Sequence, residues 1–353
     1  MKIILDDTKV KQALYPFTAN RHAADIRIGI LTIREKWSYL KRFQVDTDSV
    51  SFFLDNSTNQ NNSIAIFDAH LIPTLAWLNG LESAEANINI VEDDTVRLLK
   101  YPWQIFQYND WAIRKDFEMI TSGRLSQPIS PTNRVTGIEN IFIEEGAIVE
   151  QAILNASTGP IYIGKNAEIM EGCMIRGPFA LCEGAVLKMG TKVYGATTIG
   201  PYCVAAGEIK NSVLFDHSNK AHDGYLGDSV MGSWCNLGAG TTNSNLKNTA
   251  GQVKVWFNAA NEYVTVGDKC GLLMGDYSRS AINTSFNTGS VVGVCCHIFG
   301  DNFPPKMVSN FTWGMERYIF EKVIVDINNW KKLKGSKLTE QETEILQQLY
   351  SQL

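Results

Sequence analysis

An aliphatic residue recurs at every sixth position through the centre of this chain, and that spacing restricts the fold more than any other feature. Ile163, Ile169, Ile175, Leu181, Leu187, Val193 and Ile199 keep the period strictly, and Ala205 continues it. Ile143 and Val149 show it in a shifted phase. Tyr225, Met231 and Leu237 resume it after a break, and Phe286, Val292 and Ile298 carry it on. Such a period fits neither an amphipathic helix nor an alternating strand. It fits a triangular prism: each unit forms one flat wall, and its aliphatic residue points inward onto its counterpart one coil away. Gly164, Gly200, Gly232, Gly238 and Gly293 fall near these positions, where corners bend tightly. A chance run of aliphatics in a β-sandwich would not hold this register over seven consecutive units. The spacing therefore predicts a left-handed parallel β-helix over residues 138–303.

The flanks read differently. Residues 1–125 read as a small mixed α/β domain, with strands at Lys2–Leu5, Ser51–Leu54 and Ile64–Phe67 and a loop over Asn56–Ser63. Helices are expected at Ile30–Leu40, Leu71–Leu81 and Pro102–Thr121. Residues 126–137, with Pro128 and Pro131, read as a linker. Phe303-Pro304-Pro305 is expected to end the repeat. Residues 304–353 then read as a helical cap over the open end, with helices at Met315–Trp330 and Thr339–Leu353, the latter opening on a capping-box pattern.

Composition narrows the function. The net charge of −5 gives no basic surface for nucleic acid, and no membrane is expected as a partner. Acids follow the first apolar run, which is not the pattern of a signal peptide, so the expected location is cytoplasmic. The seven cysteines form no CxxC pair and fall mostly at repeat positions, which suits reduced, buried thiols.

The informative break in the repeat lies at 208–250. It holds Glu208-Ile209-Lys210, then His222-Asp223-Gly224-Tyr225-Leu226-Gly227-Asp228, then Asn236-Leu237-Gly238-Ala239-Gly240 followed by Asn245. This three-part pattern resembles the acetyltransferase domain of the bifunctional N-acetylglucosamine-1-phosphate uridyltransferase / glucosamine-1-phosphate acetyltransferase family. The resemblance implies acetyl-CoA as co-substrate, an amino-sugar phosphate as acceptor and a homotrimer. It implies His222 as general base, with Asn245 steadying it or orienting the substrate. It implies Lys210, Tyr225 and Glu208 as substrate-binding residues, and the corner at Ala239 and Gly240 for the thioester. These residue types suit the chemistry. The attacking amine must be neutral, histidine takes protons near neutral pH, and donors facing the thioester oxygen stabilise its developing charge.

Three departures bear on the substrate, the first being that the family's tyrosine after the matching asparagine is Leu246 here. The family's phosphate-gripping arginine aligns near Cys182, with Arg176 or Lys188 as the substitutes at hand. The insertion 247–262 is unlike that family. Each residue also has a plainer reading. Lys210 alone is a solvated lysine, Tyr225 sits in the repeat phase and so reads equally as core, and Asn236 and Asn245 suit turns.

A second resemblance covers nearly the whole chain. Leu14-Tyr15-Pro16-Phe17-Thr18, Arg21, Ile26–Ile33, Tyr101–Phe106, Asn155–Pro160 and Gly275–Ser278 are similar to bacterial proteins described as sugar nucleotidyltransferases fused to this solenoid. That implies a nucleoside triphosphate site in the first domain, where Arg21 and Arg27 are the candidate phosphate-binding residues. Asp68 is the candidate ligand for Mg²⁺, needed if that domain is active. No glycine-rich loop accompanies them. Three rival readings stand beside acyl transfer. The first is nucleotidyl transfer with the solenoid as a trimerisation scaffold, and the second a non-catalytic trimeric scaffold. The third is a zinc hydratase using His217 and His222, for which no third histidine stands about two coils earlier.

Overall fold

A computed structural model describes residues 2–40, 44–47, 64–81 and 90–353. Its centre is a three-walled parallel β-solenoid. Wall one is a nine-stranded sheet running from Ile141–Ile143 to Met307–Val308. Wall two has ten strands, starting at Ile148–Val149 and closing with Thr312–Trp313 and an antiparallel Glu316–Arg317. Wall three has six strands: Arg134–Thr136, Ile153–Asn155, Met174–Arg176, Lys192–Tyr194, Glu208–Lys210 and Tyr225–Gly227. Thr242–Asn243 and Ser285–Phe286 pair as a separate two-stranded ladder.

The hexad residues form the interior. Ile163, Leu181 and Ile199 stack on wall one, Ile169, Leu187 and Ala205 on wall two, and Ile175 and Val193 on wall three, all buried in one cluster. The seven cysteines are buried and free.

The solenoid is longer than the repeat pattern suggested. Arg134–Thr136, within the stretch read as linker, already pairs with Ile153–Asn155. Beyond Pro304 and Pro305 the coil resumes, with Met307–Val308 and Thr312–Trp313 joining walls one and two. The prolines sit in a connection, where the missing N–H costs no ladder bond.

After Ala205 the period slips. The next inward residue is Ile209, then Leu214, Lys220, Leu226 and Met231, because corners shorten. Leu226, not Tyr225, is therefore the core residue of its strand, and Tyr225 is half-buried on the outer face.

The N-terminal unit packs on wall one. Its three parallel strands run in the order Gln44–Asp46, Lys2–Asp6, Ile64–Asp68. Helix α1 is Ile33–Ser38, started by a capping box at Thr32 and Glu35. The stretch expected as one helix over 71–81 divides into a strand, Leu71–Pro73, and helix α2, Leu75–Gly80, capped by Thr74. Pro73 lies in the strand half, and its own partner is Val96. Helix α3, Gln104–Gln107, leads into α4, Asn109–Thr121. The outward residues of wall one, Val213, Val230, Leu273 and Val291, share one core with this unit. The expected strand at 51–54 and loop at 56–63 lie outside the described residues.

Helices α5, Phe320–Leu333, and α6, Glu340–Ser351, lie along the side of the solenoid rather than over its end. Phe320, Val323, Ile327 and Leu346 pack with Tyr277, Val294 and Phe311, and Lys334 Nζ donates to the Tyr202 carbonyl and Asn219 Oδ1 on wall two. Wall one is thus covered by the chain itself, and wall two along its later coils, while Ile148 on its first strand stays 56% exposed. Among the described residues, wall three is the least covered, and its strands Met174–Arg176 and Lys192–Tyr194 alternate exposed, buried, exposed.

Candidate functional site

Wall three collects most of the residues picked out by the motif. Glu208 pairs in register with Tyr225 on one side and Lys192 on the other, and Lys210 pairs with Gly227 and Tyr194. Neighbouring strands lie about 4.8 Å apart. Glu208, Lys210 and Tyr225 therefore occupy one outward patch over the buried Ile209 and Leu226.

Gly227 makes room for that patch. A side-chain carbon there would stand 2.1 Å from the Tyr225 hydroxyl, so the tyrosine lies flat across the strand end. Its hydroxyl accepts from Asn245 Nδ2 at 3.0 Å. Asn245 Nδ2 also donates to Asp228, whose other oxygen takes a 2.6 Å bond from Asn211 Nδ2. Burial and the nearby carboxylates of Asp228 and Glu208 push the Tyr225 hydroxyl up to about 12. It stays protonated, able to donate to a substrate oxygen while accepting from Asn245. Asp228 and Asn211 were not singled out from the sequence. The Gly-Asp pair ending the second motif was the available signal for the former.

His222 occupies the corner between walls two and three, leading directly into the Tyr225 strand. Its imidazole is exposed and makes no hydrogen bond among the described residues. The corner itself is fixed from inside. Lys220, at an inward position in register with Ala205, is only 2% exposed, and its ammonium donates to the carbonyls of Ala206 (3.2 Å) and His222. Burial, offset by Asp223, pulls Lys220 down to about 8.

Beside this corner is a hollow of about 290 Å³ lined by Lys192, Gly207, Glu208, Asp223, Gly224 and Tyr225. The Ala239–Gly240 corner stacks beneath it. Gly240 N–H donates to the Asp223 carbonyl at 3.2 Å, so that amide is already engaged. The Ala239 amide has no backbone acceptor among the described residues.

The phosphate-binding residues proposed for the first domain are used internally. The Arg21 guanidinium forms a buried ion pair with Asp276 and donates to Ser233 Oγ at 2.7 Å. Arg27 is 7% exposed; it donates to the Ile30 carbonyl and lies 3.6 Å from Glu35. Asp68 is held by Lys9 Nζ at 3.0 Å, and no group of three potential ligands converges among the described residues.

Cys182, where the missing arginine was aligned, lies on wall one against Ile30, far from the patch. Arg176, by contrast, stands on wall three. His217 sits at a different corner from His222. It stacks 4.2 Å from Trp234 with its Nδ1 on Asp216 at 2.9 Å.

Residues 2–55 and 55–125 match the family model described as sugar nucleotidyl transferase. The chain is similar to a protein named bifunctional protein GlmU from Methanococcus maripaludis, 30% identical over 207 residues, which cover 57% of this chain and 44% of that one. It is also similar to a bifunctional sugar-1-phosphate nucleotidylyltransferase/acetyltransferase of Sulfurisphaera tokodaii, 28% identical over 235 residues, covering 62% and 51%. A GlmU of Methanocaldococcus jannaschii is 31% identical over 118 residues, 33% and 28% of the two chains. The chain thus spans about half the length, or less, of the curated relatives it matches.

Proposed function

We propose that this chain is a transferase that moves an acetyl group from acetyl-coenzyme A to the amine of an amino-sugar phosphate, on the third wall. The supporting observation is that Glu208, Lys210, Tyr225 and Asn245 share one patch beside the exposed His222 corner. The names of the relatives point the same way.

In this reading the patch binds the sugar phosphate, Lys210 by charge and Tyr225 by its hydroxyl. The amine nitrogen attacks the thioester carbon. His222 takes the proton that the nitrogen releases, the free Ala239 amide faces the oxygen that gains charge, and the carbon–sulfur bond breaks to give coenzyme A. Asn245 orients Tyr225. We read the assembly as a homotrimer acting in the cytoplasm.

The match over residues 2–125 favours a second reading, sugar-1-phosphate nucleotidyl transfer by the N-terminal unit, with the solenoid as scaffold. The internal ties of Arg21, Arg27 and Asp68 weigh against it. Those residues do not fit a Mg²⁺ site as arranged, since Lys9 occupies the Asp68 carboxylate, and no step is routed through a metal. A non-catalytic scaffold would need none of the polar patch.

The test is to supply the purified chain with acetyl-CoA and glucosamine-1-phosphate and follow free thiol. A nucleoside triphosphate and a sugar-1-phosphate are supplied in parallel, followed by pyrophosphate. Thiol release that depends on the sugar supports acetyl transfer. Pyrophosphate alone supports the second reading, and neither supports the scaffold.

A further inference from the structure

The 290 Å³ hollow beside His222 does not end at Lys192. The same lysine lines a second hollow of about 490 Å³, which continues along wall three past Tyr194, Arg176, Met174 and Ile153. Two features of this extension point to a ligand. The first is charge. Arg176 and Lys192 are exposed and make no ion pair among the described residues, and Glu208 is the nearest carboxylate on the strands between Met174 and Tyr225. The second is the apolar platform between the cations. Tyr194 is 47% exposed, Met174 41% and Ile153 43%, on adjacent strands of one wall.

Register gives the spacing. Tyr225, Glu208, Lys192 and Met174 are successive neighbours across the wall, as are Lys210, Tyr194 and then Arg176 on the following strand. At about 4.8 Å per coil, Lys192 lies roughly 10 Å from Tyr225, and Met174 roughly 14 Å. A sugar at the Tyr225 end would place its anomeric phosphate beside Lys210, a second phosphate beside Lys192 within reach of the Arg176 side chain, and an attached base on Tyr194. A sugar monophosphate would fill the first hollow and leave the second unused.

We propose that the acceptor is an amino sugar carried on a nucleoside diphosphate, with the diphosphate gripped by Lys192 and Arg176 and the base stacked on Tyr194. This rests on the acetyl-transfer reading and names its substrate class. The reaction stays balanced. The sugar amine forms the new nitrogen–carbon bond and the thioester carbon–sulfur bond breaks. The amine proton goes to His222 and from there to the departing thiolate, giving free coenzyme A, and the diphosphate is a handle that does not react.

The test is calorimetric titration of the full chain with UDP, CDP, GDP, dTDP and inorganic phosphate. At least one diphosphate is expected to bind at least tenfold more tightly than phosphate. Tyr194→Ala should weaken that nucleotide by about 5- to 100-fold, the range for loss of a base–aromatic stack, without changing phosphate binding. Arg176→Ala should weaken it about tenfold. Both side chains are exposed, so matching melting curves are expected. The inference is overturned if no diphosphate exceeds phosphate, or if the wall variants leave the affinity unchanged, which would move the nucleotide to the N-terminal unit. It is also overturned if a second copy of the chain occupies this wall in solution. Acetylation of glucosamine-1-phosphate without diphosphate binding would sink this inference and keep the proposed function. Diphosphate binding on the wall without acetyl transfer to any amino sugar, free or carried on a diphosphate, would overturn both and leave a nucleotide site alone.

Discussion

Asn245 Nδ2 donates to the Tyr225 hydroxyl at 3.0 Å while also reaching Asp228, so one amide ties a surface phenol to a buried carboxylate. Asp228 is 4% exposed and depends on Asn211 and Asn245 for its donors. Replacing Asn245 by Ala should cost about 1–3 kcal/mol of stability, the range for leaving a buried polar group short of a partner. Tyr225→Phe keeps the ring and should leave stability within about 0.5 kcal/mol. If the hydroxyl holds substrate, it should raise KM several-fold. Denaturant titration and initial-rate kinetics check the pair.

Lys220 gives a pH signature. An unfolded lysine keeps its proton to about 10.5, whereas burial lowers Lys220 to about 8. Between those values the unfolded chain binds more protons, so this residue's contribution rises with pH. Below 8 the buried charge weighs fully against the fold. The stability of the native chain relative to Lys220→Met should therefore increase from pH 7.5 to 10.5, by roughly 2–3 kcal/mol. Parallel pH–stability curves would contradict this.

His297 works at the acid end. It stacks on Trp313 at 4.6 Å beside Arg279, and burial, reinforced by that guanidinium, lowers it to about 4. The unfolded histidine titrates at 6.5, so between 6.5 and 4 the unfolded chain takes a proton that the folded chain refuses. Stability should fall on acidification through that window, and His297→Leu should flatten the fall. Melting temperatures from pH 7 to pH 4 measure it.

Arg21 is expected to act as an anchor. Its ion pair with Asp276 joins the first domain to the solenoid, and the guanidinium also sits 5.1 Å from the Phe215 ring. Arg21→Ala strands a buried carboxylate and should destabilise the chain by about 3–5 kcal/mol. The double replacement Arg21→Met with Asp276→Asn should recover part of that. If Arg21→Ala instead leaves stability intact and abolishes pyrophosphate release, the residue serves nucleotide chemistry.

The prism was legible because Ile163 to Ala205 never miss the period, and an inward aliphatic is the one thing each wall requires. The register beyond Ala205 was not legible. Corner lengths carry no hydrophobic signal, so the slip that buries Leu226 and turns Tyr225 outward shows only in the strand pairing. The same limit hid Lys220, a cation in an aliphatic row. The convergence of Glu208, Lys210, Tyr225 and Asn245 was readable as a motif, because the spacing between coils is part of it. The cover over walls one and two was not, since Val213 and Val230 look the same in sequence whether they face a core or solvent. Wall three stands out only once the cover on the other two is seen.

The proposed acetyl transfer requires the exposed imidazole of His222, at a solenoid corner, to serve the patch beside it. It is tested most directly by sugar-dependent thiol release from acetyl-CoA in the native chain and in His222→Ala, with unchanged melting curves as the check on folding. Loss of about 10²–10⁴ in kcat, with KM for the acceptor little changed, is the predicted result for removal of a general base. Equal kcat in the two proteins would contradict it.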